Sequence, residues 1–255
     1  MNNPHAPFFH KHPEAKGIVL FIHGFMSSPR QFDKFVETVH STGCSAAALL
    51  LPGHGGRAKD FATGSFDIWQ SHVNSEVERF SQDYNRIWLV GHSLGGLLAL
   101  NAAVRYSSHV RGVFTIATPF KLIVFSSHSA KVRMRQIVSG KNSPLKAVYL
   151  ANNSIKLSPD LIWCFIKPAV EMKKIIQATK NNLPNIRAQV TSVYSKSDEL
   201  TSFESLQILK SGLTGVPFNQ LILTDSLHGY YPQHEQALIE QELTKLITTD
   251  DMDGE

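Results

Sequence analysis

Uninterrupted apolar runs alternate along this chain with segments in which apolar residues recur every three or four positions. A short continuous apolar run is typical of a strand buried on both faces, whereas the wider spacing is typical of an amphipathic helix. Phe8 and Phe9 indicate a short strand at the edge of a sheet. Six buried strands are predicted at 17–22, 44–51, 86–90, 112–117, 188–194 and 219–223.

Helical spacing fills most of the intervals between these strands. It predicts helices at 29–41, 66–83, 97–106, 202–211 and 235–248. Strands that alternate with helices predict an α/β fold, with a mostly parallel, doubly wound sheet and helices on both faces. Function in such sheets lies at the carboxyl ends of the strands, so we expect chemistry in the loops that follow them.

One interval, between the fourth and fifth of the six clear strands, is far longer than the others. Residues 120–187 carry helical rather than strand patterns, and Ser158-Pro159 has the composition of a helix start. We therefore predict an α/β core formed by residues 1–119 and 188–255, with a helical lid inserted at 120–187.

This predicted lid differs in charge from the rest of the chain. It contains 12 Lys and Arg residues and two acidic residues, a net charge of +10, while the remainder carries −6. Such asymmetry indicates a segment with a role of its own. Three interpretations are open: a solvated surface, contact with anionic lipid, or attraction of acidic small molecules such as thioesters of CoA. No nucleic-acid recognition motif accompanies the charge, so nucleic acid is not an expected partner.

Composition bounds the class of protein. The chain has 255 residues, 42% of them hydrophobic, which is enough for a large globular core. Cys44 and Cys164 give neither a disulfide framework nor a metal-binding spacing, and no cofactor or metal site is predicted. The segment Met1–His5 lacks the pattern of a signal peptide, and no apolar run approaches the ~20 residues of a membrane span. A cytoplasmic protein is therefore expected.

The chemistry centres on the turn between the strand at 86–90 and the helix that follows it. This turn has the sequence Gly91-His92-Ser93-Leu94-Gly95-Gly96, a G-x-S-x-G pattern in a strand–turn–helix context. A serine at the tip of such a turn projects its hydroxyl from the sheet, and side chains two positions before and after it would collide. Ser93 is therefore the predicted nucleophile.

A serine hydroxyl needs a base to take its proton, and histidine is the natural one. His228 follows the last predicted strand and is the candidate, since the expected chain order is serine, acid, histidine. Three other histidines also lie near strand ends, and we assign them to packing or to fixing loops: His23, His54 and His92.

A carboxylate must hold the tautomer of this histidine and stabilise its protonated form. Asp198 follows the fifth clear strand and occupies the expected place in the chain order. Glu199 and Asp225 are the alternatives. Asp225 lies only three residues before His228 on the same loop, where it suits a turn-capping role.

An oxyanion formed on the substrate needs preorganised N–H donors. The backbone amide of Leu94, directly after the nucleophile, is one candidate. The second is expected from the loop after the first clear strand, where the amide of Phe25 is favoured and that of Met26 is the alternative. The side chain of Phe25 is expected to wall the pocket for the acyl group.

Taken together, these segments resemble the α/β-hydrolase fold serine hydrolases, near the carboxylesterase and monoacylglycerol lipase group. The resemblance implies Ser93 as nucleophile, Asp198 and His228 as its partners, and Phe25 and Leu94 as donors of the oxyanion amides. Two features depart from the family pattern: few residues precede the first clear strand, and the lid is unusually basic. The matching segments are His23-Gly24-Phe25, Leu51-Pro52-Gly53-His54-Gly55, Gly91–Gly96, Asp198 and Leu227-His228-Gly229.

The expected activity is the hydrolysis of a small-molecule carboxylic ester, with an apolar acyl group, through an acyl-enzyme on Ser93. Leu161–Ile166 and Ile175-Ile176 either line the acyl pocket or only pack the lid on the sheet. Two alternatives use the same fold: a thioesterase or acyltransferase with the same triad, and a binding protein without catalysis.

Overall fold

The computed structural model describes residues 3–123, 144–155 and 161–249. Seven strands form one sheet in the order β1-β3-β2-β4-β5-β6-β7, and β1 pairs antiparallel to β3 while all other pairs are parallel. The strands are β1 (Phe8–His10), β2 (Ile18–Ile22), β3 (Ser45–Leu49), β4 (Ile87–His92), β5 (Val110–Ile116), β6 (Gln189–Ser195) and β7 (Phe218–Leu223).

Helices cover both faces of this sheet. Among the described residues they are α1 (Phe35–Ser41), α2 (Ala58–Phe61), α3 (Phe66–Ser81), α4 (Leu94–Arg105), α5 (Pro144–Asn152), α6 (Leu161–Asn182), α7 (Glu204–Gly212) and α8 (Gln233–Thr249). Two short 3₁₀ helices occupy Pro29–Phe32 and Leu183–Asn185. The predicted α/β class and mostly parallel sheet are confirmed, as is the edge strand at Phe8.

Strand β2 shows why the apolar runs are continuous. Successive side chains of a strand point to opposite faces, so a strand covered on both sides needs apolar residues at every position. Ile18, Leu20 and Ile22 pack in the cluster that includes α3 and α4, while Val19 and Phe21 pack in the cluster that includes α1 and α8.

The strand order reverses beside β2. The chain passes from β2 to β3 on one side and then returns to β4 on the other side of β2. Loops at such a reversal diverge at the carboxyl ends of the two strands and leave a crevice between them. The loop after β2 and the turn after β4 therefore border the same crevice.

Two helix boundaries differ from those expected. The segment 29–41 is a 3₁₀ turn followed by α1 rather than one α-helix. Phe32, at the end of the 3₁₀ turn, stacks on Phe21 with ring centroids 4.8 Å apart, and Phe35, at the start of α1, lies tilted against the same ring at 5.9 Å. Helix α4 begins at Leu94 rather than Leu97, so the paired glycines lie inside its first turn.

The described part of the segment between β5 and β6 contains two α-helices, α5 and α6. The expected helix start at Ser158-Pro159 lies outside the described residues. Helix α6 continues through Pro168 although a proline removes one helical hydrogen bond. Packing compensates, because the ring of Phe165 contacts those of Phe25 and Phe61, at 5.0 and 6.2 Å between centroids.

Helix α6 is also tied to α4 by polar side chains. Asn101 of α4 donates to the hydroxyl of Thr179 at 3.0 Å, and Asn182 donates back to Asn101 at 2.9 Å. These two amides fix the C-terminal half of α6 on α4. Within the described ranges, no helix has the length and apolar character needed to cross a membrane.

Candidate active site

Ser93 occupies a strained turn between β4 and α4. Its φ of 52° and ψ of −116° lie outside the usual regions for a residue with a side chain. The turn is held by a hydrogen bond from the N–H of Ser93 to the carbonyl of Ile116, at 2.8 Å. Such strain persists only where the surrounding structure enforces it, and it projects the hydroxyl toward the crevice.

The glycines of this turn are required by close contacts. A Cβ at Gly91 would overlap the backbone of Gly95, and one at Gly95 would overlap the carbonyl of Ile22 in β2. A Cβ at Gly96 would overlap the hydroxyl of Thr118. The first turn of α4 therefore lies directly against neighbouring backbone, which places its free N–H groups at the crevice.

Hydrogen bonds join the three residues that the sequence assigns to the catalytic triad. His228 Nε2 lies 3.0 Å from the hydroxyl oxygen of Ser93, and His228 Nδ1 lies 2.9 and 3.2 Å from the two carboxylate oxygens of Asp198. Because a carboxylate only accepts, Nδ1 carries the proton and Nε2 is free to accept from the serine hydroxyl. All three side chains are buried.

Asp198 and His228 each stabilise the charged form of the other. Burial is the largest influence on the pKa of His228 and lowers it, but the charge and hydrogen bond of Asp198, with help from Glu199, raise it above the usual value. Burial would raise the pKa of Asp198, but His228 and the amides of Leu200 and Thr201 hold it below its usual value. The pair thus favours a carboxylate beside an imidazole that readily accepts a proton.

Neither of the two alternative acids contacts the imidazole of His228. Asp225 is exposed and forms an ion pair with His234 at 3.3 Å. Glu199 is buried and accepts the backbone N–H of His228 at 2.9 Å rather than its ring. Asp198 is therefore the acid that contacts the imidazole.

The other three histidines lie around the same crevice. His23 bonds the carbonyl of Gly24 at 2.9 Å and accepts the N–H of Leu51 at 3.0 Å, so it fixes backbone as expected. His54 packs edge-on against His23 with ring centroids 4.8 Å apart. The interpretation of His92 as a packing residue that points elsewhere is incomplete, because its Nε2 bonds the carbonyl of His228 at 2.7 Å.

The two amides proposed for an oxyanion come from adjacent loops. Ile22 pairs with Gly91 across β2 and β4, so Phe25 follows β2 beside the turn that carries Leu94. Neither N–H has a hydrogen-bond acceptor among the described residues. Met26, the alternative donor, has a φ of 62°, which bends this loop at the crevice.

A cavity of about 310 Å³ opens beside His228. The ring of Phe25 borders it and is backed by Phe61 and Trp69, at 5.0 and 6.2 Å between centroids. None of the described residues that line the cavity is Asp, Glu, Lys or Arg. Its lining includes Phe25, Met26, Gln31, Tyr149, Asn152 and Leu200.

Sequence reasoning missed two tyrosines at this site. Tyr149 of α5 donates to Glu199 at 2.6 Å, and Tyr231 donates to the carbonyl of His228 at 3.1 Å. No local pattern marks Tyr149, because its partner lies 50 residues away in the chain. Tyr231 stands three residues after His228, and that proximity was the only signal for it.

One group of side chains among the described residues has the composition of a metal site. The ligand atoms of Asp225, His234 and Glu235 lie within 4.8 Å of one another. Glu235, however, already accepts the N–H groups of Thr224 and Asp225, at 2.7 and 3.1 Å, and the hydroxyl of Ser226. This carboxylate is engaged in fixing the loop before His228 and does not need a cation.

Comparison with known proteins assigns the chain to a family. The profile described as serine aminopeptidase, S33, matches residues 13–158, more than half of the chain. The 2-succinyl-6-hydroxy-2,4-cyclohexadiene-1-carboxylate synthase of Salmonella paratyphi B is 36% identical over 99 residues. That match covers 39% of this chain and 37% of the synthase, so the chain spans little more than a third of the length of this relative.

Solved structures cover nearly the whole chain. A chain from the study of LipS and LipT, two metagenome-derived lipolytic enzymes, matches with a TM-score of 0.74 at 17% identity, over 95% of this chain and 97% of that one. The monoacylglycerol lipase of Paleococcus ferrophilus gives 0.73 at 18% identity, over 95% and 98%. At these identities the likeness establishes the fold, which is the α/β-hydrolase fold.

Proposed function

This chain belongs to the serine aminopeptidase S33 family of α/β-hydrolases, and from that premise we propose that it hydrolyses small carboxylic esters through an acyl-enzyme on Ser93. The observation that carries the proposal is the cavity that borders His228, the hydrogen-bond partner of Ser93, because its described lining contains no Asp, Glu, Lys or Arg. An ester with an apolar acyl group is neutral and can enter it without leaving a charge unpaired.

The same cavity argues against charged substrates. A peptide with a free N-terminal amine needs a carboxylate partner near the nucleophile, and a substrate carboxylate needs a cation. The described lining offers neither. Asp198 and Glu199 are nearby, but both are engaged with His228. Ester cleavage is therefore favoured over aminopeptidase activity. It is also favoured over a reaction like that of the 2-succinyl-6-hydroxy-2,4-cyclohexadiene-1-carboxylate synthase, whose name specifies a carboxylate.

In the first half-reaction, the hydroxyl oxygen of Ser93 attacks the carbonyl carbon while its proton passes to His228 Nε2 across the 3.0 Å hydrogen bond. The carbonyl oxygen becomes negatively charged and accepts the N–H groups of Phe25 and Leu94. Asp198 stabilises the imidazolium. The bond to the alcohol oxygen then breaks, and that oxygen leaves with the proton from His228.

In the second half-reaction, a water molecule gives a proton to His228 Nε2 and its oxygen adds to the acyl carbon. The same two amides hold the second oxyanion. The bond to Ser93 breaks, the acid is released, and the serine oxygen regains the proton from His228. No residue beyond this group has to change its charge during the cycle.

A series of p-nitrophenyl esters from acetate to palmitate, with S93A as the control, tests the proposal. Because the cavity lies near the low end of the ~300–1,000 Å³ range of ligand pockets, we expect short and medium acyl chains to be preferred. Turnover must disappear in S93A. Equal turnover by S93A contradicts the assigned nucleophile.

Two further assays separate the alternatives. Amino-acid p-nitroanilides report aminopeptidase activity, and acyl-CoA thioesters with an added alcohol report thioesterase or acyltransferase activity. If the p-nitroanilides or the acyl-CoA thioesters were turned over faster than the esters, the corresponding activity would replace ester hydrolysis as the proposed function. Failure of a fluorophosphonate to label Ser93 would favour a binding protein without catalysis.

We further propose that the predicted lid, residues 120–187, binds anionic lipid through one face of α6. Trp163, Ile166 and Val170 recur at helical spacing and are 75%, 53% and 50% exposed. Lys167 and Lys173 are exposed on the same helix. A tryptophan-containing apolar stripe beside lysines suits a lipid interface, where each cation contributes about 1 kcal/mol near anionic headgroups.

Vesicle sedimentation tests this contact. We expect binding to vesicles that contain phosphatidylglycerol, weaker binding at high salt, and a several-fold loss in W163A. L238A is the matched control, since Leu238 is an exposed apolar residue of α8, 43% exposed. Equal binding to pure phosphatidylcholine, or equal losses in both variants, would refute it.

A further inference from the structure

Glu199 is a second buried carboxylate at the active site. It is 1% exposed, and its two oxygens have different partners. Oε2 accepts the backbone N–H of His228 at 2.9 Å, and Oε1 accepts the hydroxyl of Tyr149 at 2.6 Å. Within the described ranges it forms no ion pair with Lys or Arg. Burying a carboxylate without a cation is costly, and a neutral Gln could form both hydrogen bonds.

The backbone of His228 is held on both sides. Its N–H bonds Glu199, and its carbonyl accepts the Nε2–H of His92 at 2.7 Å and the hydroxyl of Tyr231 at 3.1 Å. The imidazole is fixed separately by Asp198. Of these three partners of the His228 backbone, only Glu199 is a carboxylate. It can therefore influence His228 through its charge as well as by holding the loop in place.

Tyr149 connects this arrangement to the inserted segment. It lies on α5, and its ring borders Gly229, where a Cβ would stand 3.5 Å away. Just beyond α5, the N–H of Ser154 donates to the carbonyl of Met26 at 2.9 Å. The short stretch 144–155 thus touches both the loop of the proposed base and the loop of the proposed oxyanion amides.

We propose that Glu199 and Tyr149 are positioning residues for His228: Glu199 fixes the backbone of the base and places a carboxylate beside it, and Tyr149 anchors Glu199 to α5. The inference rests on the proposed function, in which His228 is the base. Groups that face His228 and carry or can acquire charge come from several elements: Asp198 and Glu199 after β6, His92 of β4, Tyr149 of α5, and Tyr231.

The charge of Glu199 acts in a known direction. Burial lowers the pKa of His228, and Asp198 followed by Glu199 raises it. Only the unprotonated base accepts the proton of Ser93, so kcat/KM falls on the acid side as His228 becomes protonated. Removing the charge of Glu199 lowers the pKa of His228 and moves that acid limb to lower pH.

The variant E199Q isolates this charge. Gln can accept the N–H of His228 with Oε1 and donate to the oxygen of Tyr149 with Nε2, so the bonding pattern is retained. We expect the acid limb of kcat/KM for a p-nitrophenyl ester to move to lower pH. E204Q is the matched control, because Glu204 is exposed and pairs with Lys121 on the surface; its profile should coincide with that of the wild type.

Two more variants separate charge from anchoring. E199D keeps the charge but shortens the side chain, so we expect the wild-type acid limb with a reduced kcat. Y149F removes the anchor, and kcat/KM should fall on the order of 10-fold, whereas the remote Y106F should not change it. If E199D moves the acid limb as E199Q does, or if Y149F matches Y106F, the corresponding part of the proposal is wrong.

A titration that does not depend on turnover separates this inference from the proposed function. The imidazole resonances of His228, followed by NMR, should titrate at lower pH in E199Q than in the wild type. This result would support the inference even if no tested ester were cleaved. Coincident titration curves would overturn it, even in an active esterase.

Discussion

The imidazole of His92 donates from Nε2 to the backbone carbonyl of His228 over 2.7 Å. A carbonyl only accepts, so Nε2 carries a proton. Burial, followed by repulsion from His228, lowers the pKa of His92 to about 3. His92 is thus a neutral, fixed donor over the pH range in which the proposed base would work, and the residue before the proposed nucleophile anchors the loop of that base.

Loss of this donor should slow catalysis without weakening substrate binding. In H92F the ring volume is kept but the hydrogen bond is lost, and we expect kcat to fall about 10-fold, equivalent to about 1.4 kcal/mol. H92Q can still present an N–H near the same position and should retain most of the activity. The kcat and KM values of both variants on one p-nitrophenyl ester decide this; equal losses would mean that ring packing matters instead.

Asp198 should be essential and Asp225 dispensable. In D198N the carboxylate that orients His228 is lost, and kcat should fall by about 10³–10⁴-fold. The acid limb of any residual kcat/KM profile should move to lower pH, because Asp198 raises the pKa of His228. D225N is the matched control, since Asp225 is exposed and pairs with His234. A larger loss in D225N would reverse the assignment of the acid.

Features with local causes could be predicted from the sequence. The buried strands follow from continuous apolar runs, and the strained turn at Ser93 follows from the spacing of Gly91 and Gly95 around it, because a Cβ at Gly91 would overlap the backbone of Gly95 only four residues away. The boundary of α4 could not be placed. Gly95 and Gly96 are poor helix formers, and only their contacts with β2 and Thr118 explain why they lie in its first turn.

Contacts between distant segments account for the rest of the site. The sequence presents Asp198 and Glu199 as rivals for one role, whereas in the fold they bond the ring and the backbone of the same histidine. The residue types alone do not show that two adjacent loop side chains point to different parts of the same histidine. No sequence pattern marks Tyr149 as a site residue, and its partner Glu199 lies 50 residues away in the chain. Their hydrogen bond can therefore be found only in the folded structure.

Close packing at the start of α4 makes a sharp prediction about stability. G96A would bring a methyl group against the hydroxyl of Thr118 and should lower the free energy of unfolding by about 1–3 kcal/mol. Adding T118A should restore part of this loss. The Thr118 hydroxyl has no hydrogen-bond partner in the described part of the chain, so its removal leaves no described group unpaired.

Urea unfolding midpoints of the single and double variants test this pairing. G95A is the matched control, because its methyl group would meet the backbone carbonyl of Ile22, which no side-chain change can relieve. T118A should therefore rescue G96A but not G95A. Equal rescue of both, or a G96A protein as stable as the wild type, would show that the helix can shift away.

Buried neutral histidine should make the fold sensitive to mild acid. Burial lowers the pKa of His54 to about 4, from a usual value of 6.5. Between these two pH values the unfolded chain binds a proton that the folded protein does not, so stability is complete above about 6.5 and falls as the pH is lowered. The slope from this one residue approaches 1.4 kcal/mol per pH unit, to order of magnitude.

The variant H54F tests this source of acid sensitivity. Phe should fit among the aromatic neighbours of His54, whose ring lies 5.1 Å from that of Phe61, and it cannot take up a proton. The free energy of unfolding, measured in urea at several pH values between about 7 and 4.5, should therefore fall less steeply in H54F than in the wild type. H10Q replaces an exposed histidine and should retain the wild-type slope. An unchanged slope in H54F would show that His54 takes up its proton in the folded protein as readily as in the unfolded chain.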